Sequence, residues 1–357
     1  MSATTEKPTE ISEADRKLID TVKERLSYEL TLVPAYSDDF SIMRWLIGWD
    51  RNIEVIIPKM RFSLRAIHAL GLDKDDLTTI EKVTAKCDSY NLYKMRIAES
   101  EGVMQIIRKL EKEHGRPLGT TVIFDLDGLS MSQLDMAALK VVTTMLSQLQ
   151  ELFPDVVRKI FVINTPTFIQ VLWGMISPCL AKQTQQKVNI LGDNWKDVLK
   201  ESVGEEVLFK RWGGTRESDS EYGNVRTGGK IPVELRYDPA NDLPADKLQN
   251  LTISARKVAF IPVKVEGHVP GRKIYWWWRL QANDVFFQVL RAAEAQENVA
   301  EHADDVMLVP KFKLQTEFVP EDGEVLAEEP GTYKLVFDNT HSKLRSKTVR
   351  YFYEVRN

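Results

Sequence analysis

Three short apolar runs decide the fold: TVIF at residues 121–124, KIFVI at 159–163 and KVNIL at 187–191. A longer stretch, with apolar residues at helical spacing, separates the first two runs. Apolar strands that alternate with helices are typical of a buried, largely parallel sheet. The segment from residue 72 to residue 215 is therefore predicted to be an α/β domain.

Residues 12–71 precede this segment and show the spacing of amphipathic helices. Ser12 belongs to a residue type that caps helices, and apolar residues recur along one face of the stretch that follows it. Residues 1–11 are polar and are predicted to be a disordered tail. No long polar linker follows residue 71, so we expect the helices to pack on the α/β segment.

The C-terminal third of the chain changes pattern again. Residues 216–248 are rich in Gly, Pro, Asp, Ser and Asn, which predicts a linker. Residues 249–357 contain aromatic-rich runs that favour an all-β sandwich. These runs are RKVAFIPVKV, RKIYWWWRLQ, NDVFFQVL, TYKLVF and KTVRYFYEV. Because strand residues alternate between faces, two of the residues Trp276, Trp277 and Trp278 are expected to fill the sandwich.

Composition narrows the class of protein. The 357 residues carry a formal net charge of -4, which gives no field that favours nucleic acid, and we expect no nucleic-acid partner. The two cysteines, Cys87 and Cys179, lack metal-ligand spacing, and no secretory signal precedes them, so a reducing cytoplasm is expected. The five histidines are scattered along the chain, so neither a metal nor a cofactor is expected.

The longest apolar run extends from Phe168 to Ala181. Gln170, Ser177 and Pro178 interrupt the run, and it is too short to span a bilayer. We therefore expect a protein that is not integral to the membrane. From periodicity alone the run favours a buried helix, because an all-round apolar helix must be buried or contact an apolar ligand.

One motif suggests a different chemistry. VIFDLDGLS places Asp125 and Asp127 after a strand, as in haloacid-dehalogenase-type phosphatases, where such carboxylates act as nucleophile and acid/base and hold Mg²⁺. Asp193 in GDNWKD fits the metal-binding motif of the same class. Lys187 and Asp193 flank one short strand and would lie at its opposite ends, which disfavours a phosphatase. The alternative is that Asp125 and Asp127 end a strand and that Asp193 caps the next helix.

The stretch from Thr120 to Thr215 resembles the CRAL-TRIO lipid-binding domain. The landmarks are TVIFDLDGLS, LQELFPDVVRKIFVINTP, FIQVLWGMISPCLAKQTQQKVNILG and RWGGT. The helical layer in front of it, with DDFSIMRWL, is similar to the same family. Residues 249–357 resemble the GOLD domain through IPVKVEG, YWWWRL and PGTYKLVFDNTHSKLRSK. The combined order resembles the supernatant protein factor and tocopherol-associated protein type.

The resemblance implies one lipid in a pocket, floored by the sheet and closed by a mobile gate helix. The residues that it places at the pocket and gate are Phe124, Phe161, Ile163, Phe168, Leu172, Met175, Ile176 and Leu180. In family members that transfer phosphatidylinositol, an acidic residue and a lysine lie near the headgroup. Asp155 and Lys187 match these two positions and are the headgroup candidates.

Two departures from the family pattern bear on the ligand. Trp49 and Asp50 stand where the family has a basic pair, so a neutral lipid is as good a candidate as a phosphoinositide. The segment from Asp73 to Glu113 has the pattern of a continuous helix where the family has a pair of strands. The sheet is therefore expected to lack two strands, which would leave the pocket narrower.

These features predict a non-enzymatic carrier or sensor of a phospholipid or a tocopherol- or squalene-like lipid. The protein is expected to be cytoplasmic, to contact membranes transiently, and to recruit a Golgi or endosomal protein through its GOLD domain. A scaffold with a degenerate pocket is the main alternative, and a Mg²⁺-dependent phosphatase is the third.

Overall fold

A computed structural model of the chain describes residues 11–78, 89–131, 136–217, 233 and 237–357. Most of the predicted tail, residues 1–10, and most of the predicted linker, 216–248, lie outside the described residues. One of the two cysteines, Cys87, also lies outside them. No described helix combines the length and apolar character needed to cross a bilayer.

Four α-helices form the N-terminal layer, in the region where the sequence predicted helices. Ser12 caps the first of them, because its hydroxyl oxygen accepts a hydrogen bond from the Asp15 backbone N–H at 3.1 Å. Pro58 lies inside the fourth helix. The helices are α1 (Glu13–Arg25), α2 (Ser27–Leu32), α3 (Asp39–Gly48) and α4 (Ile53–Ala69).

The prediction of a continuous helix from Asp73 to Glu113 is wrong at its start. Residues 71–78 form turns and bends, and the described helix α5 spans Ser89–His114. Gly71 has a φ of 72°, and the Asp76 carboxylate accepts from the Thr78 backbone N–H at 3.0 Å. Both features favour a turn over a helix.

Three parallel strands form the predicted α/β sheet, in the order β1-β2-β3. Two longer helices, α6 and α9, and two short ones, α7 and α8, surround it. The strands are β1 (Thr120–Asp125), β2 (Val157–Ile163) and β3 (Val188–Ile190). The helices are α6 (Met136–Leu152), α7 (Ile169–Ile176), α8 (Lys182–Gln185) and α9 (Trp195–Val203).

The strand order determines which helices lie on which face. The connections from β1 to β2 and from β2 to β3 advance in the same direction across the sheet. Right-handed crossovers of that kind place both connections, α6 and then α7 and α8, on one face. Helix α9 follows β3 and packs on the opposite face, where Leu199 contacts Phe161 and Ile163.

Eight antiparallel strands form the predicted C-terminal sandwich, in two sheets of order β5-β10-β7-β8 and β4-β11-β6-β9. All three consecutive tryptophans of β6 are buried. Trp276 and Trp278 contact Phe287 between the sheets, as expected for two of the three residues, and Trp277 is buried outside this main cluster. The strands are β4 (Gln249–Ile253), β5 (Val258–Val265), β6 (Lys273–Leu280), β7 (Asp284–Arg291), β8 (Val306–Gln315), β9 (Glu321–Leu326), β10 (Gly331–Asp338) and β11 (Lys347–Arg356).

The sandwich shares one hydrophobic cluster with the N-terminal helices. At the junction, the ring of Tyr93 in α5 stacks on Phe312 in β8 with centroids 5.3 Å apart. The Tyr93 hydroxyl also donates to the backbone oxygen of Lys313 at 3.2 Å. Because apolar contacts run continuously across the junction, the helices and the sandwich pack as a single body.

Candidate functional site

One face of the parallel sheet presents apolar side chains from all three strands. The strand register pairs Val122 with Ile160 and Phe124 with Val162. Ile160 and Val162 pair in turn with Val188 and Ile190 of β3. We call this surface the apolar floor. Its six residues are Val122, Phe124, Ile160, Val162, Val188 and Ile190.

The apolar floor is incompletely covered. Phe124 is 50% exposed, and only Ile160, at 9%, is counted among the buried residues. None of the six side chains belongs to either of the two packed hydrophobic clusters that the described residues form. Burying apolar surface is worth about 25 cal/mol per Å², so this face favours an additional apolar occupant.

Two of the predicted pocket residues lie on the other face. Phe161 and Ile163 alternate with the floor residues along β2, and their side chains pack with Leu199 and Leu208. Both are at most 3% exposed. Strand alternation therefore separates Phe161 and Ile163 from Phe124, and the predicted set does not form one pocket.

Helix α7 is the predicted gate helix, and its residues remain largely accessible. Leu172 is the single buried residue of its eight. Val171 is 53% exposed and Met175 is 40% exposed, while Phe168, Ile176 and Leu180 are half-buried. Periodicity alone favours a core helix here, but the structure leaves Val171 and Met175 of α7 exposed to solvent.

Polar groups fix both ends of this exposed helical segment. Before α7, Asn164 has a φ of 50° and its side-chain amide donates to the Asp125 carboxylate at 2.8 Å. After α7, the side chain of Gln150 in α6 donates to the Cys179 oxygen at 3.2 Å and accepts from the Ala181 N–H at 2.9 Å. Hydrogen bonds thus hold the helix at both of its ends.

The two headgroup candidates meet at the edge of the sheet where β2 and β3 begin. The Lys187 ammonium lies 3.0 Å from one carboxylate oxygen of Asp155, and Arg158 lies 2.8 Å from the other. The Asp155 side chain is 7% exposed and that of Lys187 is 23% exposed. Because Lys187 immediately precedes Val188, this ion pair lies at the end of the apolar floor.

A second buried ion pair supports the first. The Arg44 guanidinium of α3 donates to the backbone oxygen of Asp155 at 3.4 Å and pairs with Glu111 of α5. Burial raises the pKa of Glu111, although the Leu118 backbone N–H and Arg44 partly offset that effect. Arg44 and Glu111 therefore connect the helical layer to the edge of the sheet.

The positions that depart from the family pattern lie nearby. Asp50 accepts a hydrogen bond from the side chain of Gln183 in α8 at 3.1 Å. The Trp49 ring lies under the Lys59 ammonium, 4.3 Å from the ring centroid. An acidic side chain next to α8 disfavours a phosphate in this part of the site.

At the opposite end of the strands, the aspartates of the phosphatase-like motif form hydrogen bonds and ion pairs with neighbouring side chains. Asp125 accepts from the Trp212 indole at 2.9 Å as well as from Asn164, and Asp127 lies 3.0 Å from Arg211. Burial alone would raise the pKa of Asp125, but the bonds from Trp212 and Asn164 hold it below its ordinary value. Among the described residues, no three His, Cys, Asp or Glu side chains are grouped to hold a metal ion.

Sequence reasoning missed the residues that fix the gate segment. Gln150 lies on a predicted helix and Asn164 follows a predicted strand, but neither residue type signals such a contact by itself. The phosphatase-like motif did indicate that Asp125 lies at a strand end. Trp212 belongs to the landmark RWGGT, so the family resemblance marked this region. The resemblance did not predict that the Trp212 indole donates to Asp125.

Comparisons with known proteins identify similar sequences for this region. A profile described as the CRAL/TRIO domain matches residues 92–214. "Protein ctg-1" of Caenorhabditis elegans is 25% identical over 284 residues, which are 78% of this chain and 73% of that protein. "CRAL-TRIO domain-containing protein F28H7.8" of the same organism is 26% identical over 262 residues, covering 70% of this chain and 59% of the relative.

A solved structure, titled "Crystal structure of Sfh5", aligns with a TM-score of 0.40 and 14% identity, covering 62% of this chain and 93% of that one. The profile and the two relatives confirm the resemblance of residues 120–215 to the CRAL-TRIO domain. The profile match assigns residues 92–214 of the chain to a CRAL/TRIO domain.

Proposed function

We propose that this protein binds one lipophilic molecule against the apolar floor and carries or senses it without transforming it chemically. The observation that carries the proposal is the floor itself, with six apolar side chains that belong to neither packed cluster. CRAL/TRIO domains bind small lipophilic ligands, which supports the same function. The exposed side chains of α7 would close over the bound molecule.

The polar end of the ligand is proposed to lie near Asp155 and Lys187. Asp155 pairs with Lys187 at 3.0 Å and with Arg158 at 2.8 Å, and Asp50, close to α8, adds a second negative charge to these two cations. Because two acids and two bases balance in this region, it favours a hydroxyl or an ester group over a doubly charged phosphate. We therefore favour a lipid with an uncharged head, such as a tocopherol-like or sterol-like molecule, over a phosphoinositide.

Exchange of the ligand is proposed to occur at a membrane that the protein contacts transiently from the cytoplasm. Extracting an apolar molecule from a bilayer costs about 0.8 kcal/mol of free energy for each methylene exposed to water. An apolar pocket that replaces the bilayer interior removes this cost. The absence of charge from the six floor residues meets that requirement. We further propose that the sandwich is a GOLD domain that recruits the protein to a membrane or to a Golgi or endosomal protein.

The test is native mass spectrometry of the full chain after incubation with mixed-lipid vesicles. One lipid per chain is expected, and Phe124→Asp is expected to abolish it by placing a carboxylate on the floor. Val207→Asp is the matched control, because Val207 is 51% exposed and its neighbour Leu208 packs on the other face of the sheet. Equal lipid content in both variants would contradict the assignment of the floor.

A second candidate function, a protein-binding scaffold, is favoured by the narrowness of the floor. The described part of the sheet has three strands, and β3 contains three residues. A chain that holds no lipid after exposure to vesicles of varied composition would support the scaffold. In that case, Phe124 and α7 would be the surface to test for a protein partner.

A further inference from the structure

Two turns of the sandwich meet at one corner of the molecule. The Arg256 backbone N–H donates to the Asn339 oxygen at 3.2 Å and to the Ser342 oxygen at 3.1 Å. In return, the Asn339 N–H donates to the Lys257 oxygen at 2.9 Å. These bonds join the turn before β5 to the loop between β10 and β11.

The side chain of Asn339 fixes the same corner from inside. It is fully buried, and its amide nitrogen lies 3.2 Å from the oxygens of Ile253 and Ser254 and 3.0 Å from that of Arg345. The Ser342 hydroxyl donates to the Arg345 oxygen at 2.9 Å. The loop therefore has a defined shape, although its outer residues are exposed.

This fixed loop presents cations together with an apolar side chain. We call the side chains of Arg256, Lys257, Lys343 and Arg345 the basic corner; all four residues are exposed. Within the described parts of the chain, none of these four side chains forms an ion pair. Leu344, between two of them, is 92% exposed, the most exposed of the large apolar residues described.

The conformation maintains this exposure at a cost. Arg256 has a φ of 61°, which side-chain-bearing residues adopt only with strain. Four unpaired like charges also repel one another, and the isolated leucine contacts water on nearly all sides. Neither feature contributes to packing of the sandwich, and the five exposed side chains together combine positive charge with an apolar group on one fixed loop corner.

We propose that the basic corner docks on the surface of a bilayer containing anionic lipids, with Leu344 inserted among the headgroups. Cationic side chains around one protruding apolar residue match an interface that is anionic outside and apolar beneath. A protein partner would require a contact surface of about 800 Å² on each side, whereas here the apolar contribution is a single side chain. Nucleic acid would match the cations but leave Leu344 without a role.

The overall charge makes the docking local. The chain carries a formal net charge of -4, so an anionic surface repels the molecule as a whole and attracts it only at a patch such as the basic corner. The inference rests on the part of the proposed function that assigns recruitment to the sandwich. It specifies the partner as the lipid surface and the contact as one loop.

The experiment is co-sedimentation of the full chain with phosphatidylcholine vesicles, with and without added phosphatidylserine. Binding is expected only with phosphatidylserine and should weaken as salt is raised. Replacing Lys343 and Arg345 by Gln should weaken it by about 25-fold, since each basic residue near such a surface contributes about fivefold. Leu344→Ser should weaken it by about tenfold.

The matched control replaces Lys264 and Arg350 by Gln, two exposed cations on strands of the same sandwich. This control should bind as the parent does, and unchanged melting temperatures should show that all variants fold. Full vesicle binding by the variant with Gln at positions 343 and 345 or by Leu344→Ser would overturn the inference. Equal binding of the parent to pure phosphatidylcholine vesicles would also overturn it.

The same experiment separates this inference from the proposed lipid site. Phe124→Asp should lose its bound lipid and still sediment with anionic vesicles. The variant with Gln at positions 343 and 345 and the Leu344→Ser variant, together called the basic-corner variants, should retain bound lipid, measured by native mass spectrometry. Both should lose sedimentation with anionic vesicles. If Phe124→Asp alone fails its expectation, the floor is misassigned; if the basic-corner variants alone fail, the docking surface is misassigned.

Discussion

The ammonium group of Lys140 in α6 lies 3.2 Å from the carboxylate of Asp284 in β7. This ion pair joins the CRAL/TRIO domain to the sandwich. Lys313, Lys347 and His341 also surround the same carboxylate, at 3.7, 3.3 and 2.7 Å. The Asp284 carboxylate thus pairs with four basic side chains at the junction.

Asp284→Asn should make the protein less stable above pH 4 and flatten its acid sensitivity. Burial alone would raise the pKa of Asp284, but Lys313, His341, Lys140 and Lys347 outweigh it and lower the pKa from 3.8 to about 2. A depressed pKa in the folded state stabilises the protein above pH 3.8, and the contribution is lost as the pH falls through about 2. The loss is expected to be at most about 2 kcal/mol, measured by urea unfolding at several pH values.

Asp304→Asn is the control for this prediction, because the Asp304 side chain is 78% exposed. It should leave the free energy of unfolding nearly unchanged at every pH. Parallel pH profiles for Asp284→Asn and the parent would show that the carboxylate does not stabilise the junction.

Tyr93→Ala should separate the unfolding of the helices from that of the sandwich. The parent is expected to unfold in one transition, because one hydrophobic cluster spans the junction. The substitution removes the ring stacked on Phe312 and the bond to Lys313, at an expected cost of about 3 kcal/mol. Tryptophan fluorescence and far-UV circular dichroism should then give different midpoints, whereas Tyr28→Ala, at a 61% exposed position of α2, should leave them coincident.

Asp155→Asn should destabilise the protein more than Lys187→Gln does. The asparagine would leave both Lys187 and Arg158 without their buried carboxylate, with an expected loss of about 3 kcal/mol. Lys187→Gln should cost about 1 kcal/mol, since Arg158 still pairs with Asp155. Thermal unfolding measures both, and Lys182→Gln, an exposed position in α8, serves as the control. Equal losses in the two variants would argue against Asp155 as the common partner.

Two glycine substitutions should act in opposite directions. A Cβ at Gly174 in α7 would meet no atom within 4 Å, so Gly174→Ala should stabilise α7 by about 0.5–1 kcal/mol. A Cβ at Gly323 would lie 2.5 Å from the Trp276 ring, so Gly323→Ala should destabilise the sandwich by about 1–3 kcal/mol. Melting temperatures test both substitutions. Gly174→Ala should in addition slow lipid exchange between vesicles if α7 bends during release.

The sequence predicted most of the architecture, since the runs that signal it are long or strongly patterned. The apolar strands 121–124 and 159–163 specified a parallel sheet, and the aromatic alternation of residues 249–357 specified an antiparallel sandwich. The turns at 71–78 were not predicted, because the Asp76 side chain stabilises them through a local hydrogen bond that helical periodicity does not reveal.

The site was less accessible to sequence reasoning. Phe124 and Phe161 are both apolar strand residues, and only the register between β1 and β2 shows that they point to opposite faces. The pairing of Asp155 with Lys187 was expected only through a family resemblance, since thirty-two positions separate them along the chain. Leu344 resembles any other loop residue until its exposure is known.

The hydrophobic cluster that continues from Ile19 in α1 to Val349 in β11 constrains how the protein can approach a surface. A molecule whose parts were tethered flexibly could touch a surface with one part while the other tumbled freely. Here Met145 and Leu152 of α6 belong to the same cluster, so a torque applied to the sandwich also turns the α/β domain of which α6 is a part. One point of attachment therefore leaves the molecule only rocking and spinning about that point, and the angle at which α7 meets the surface becomes a property of the folded shape.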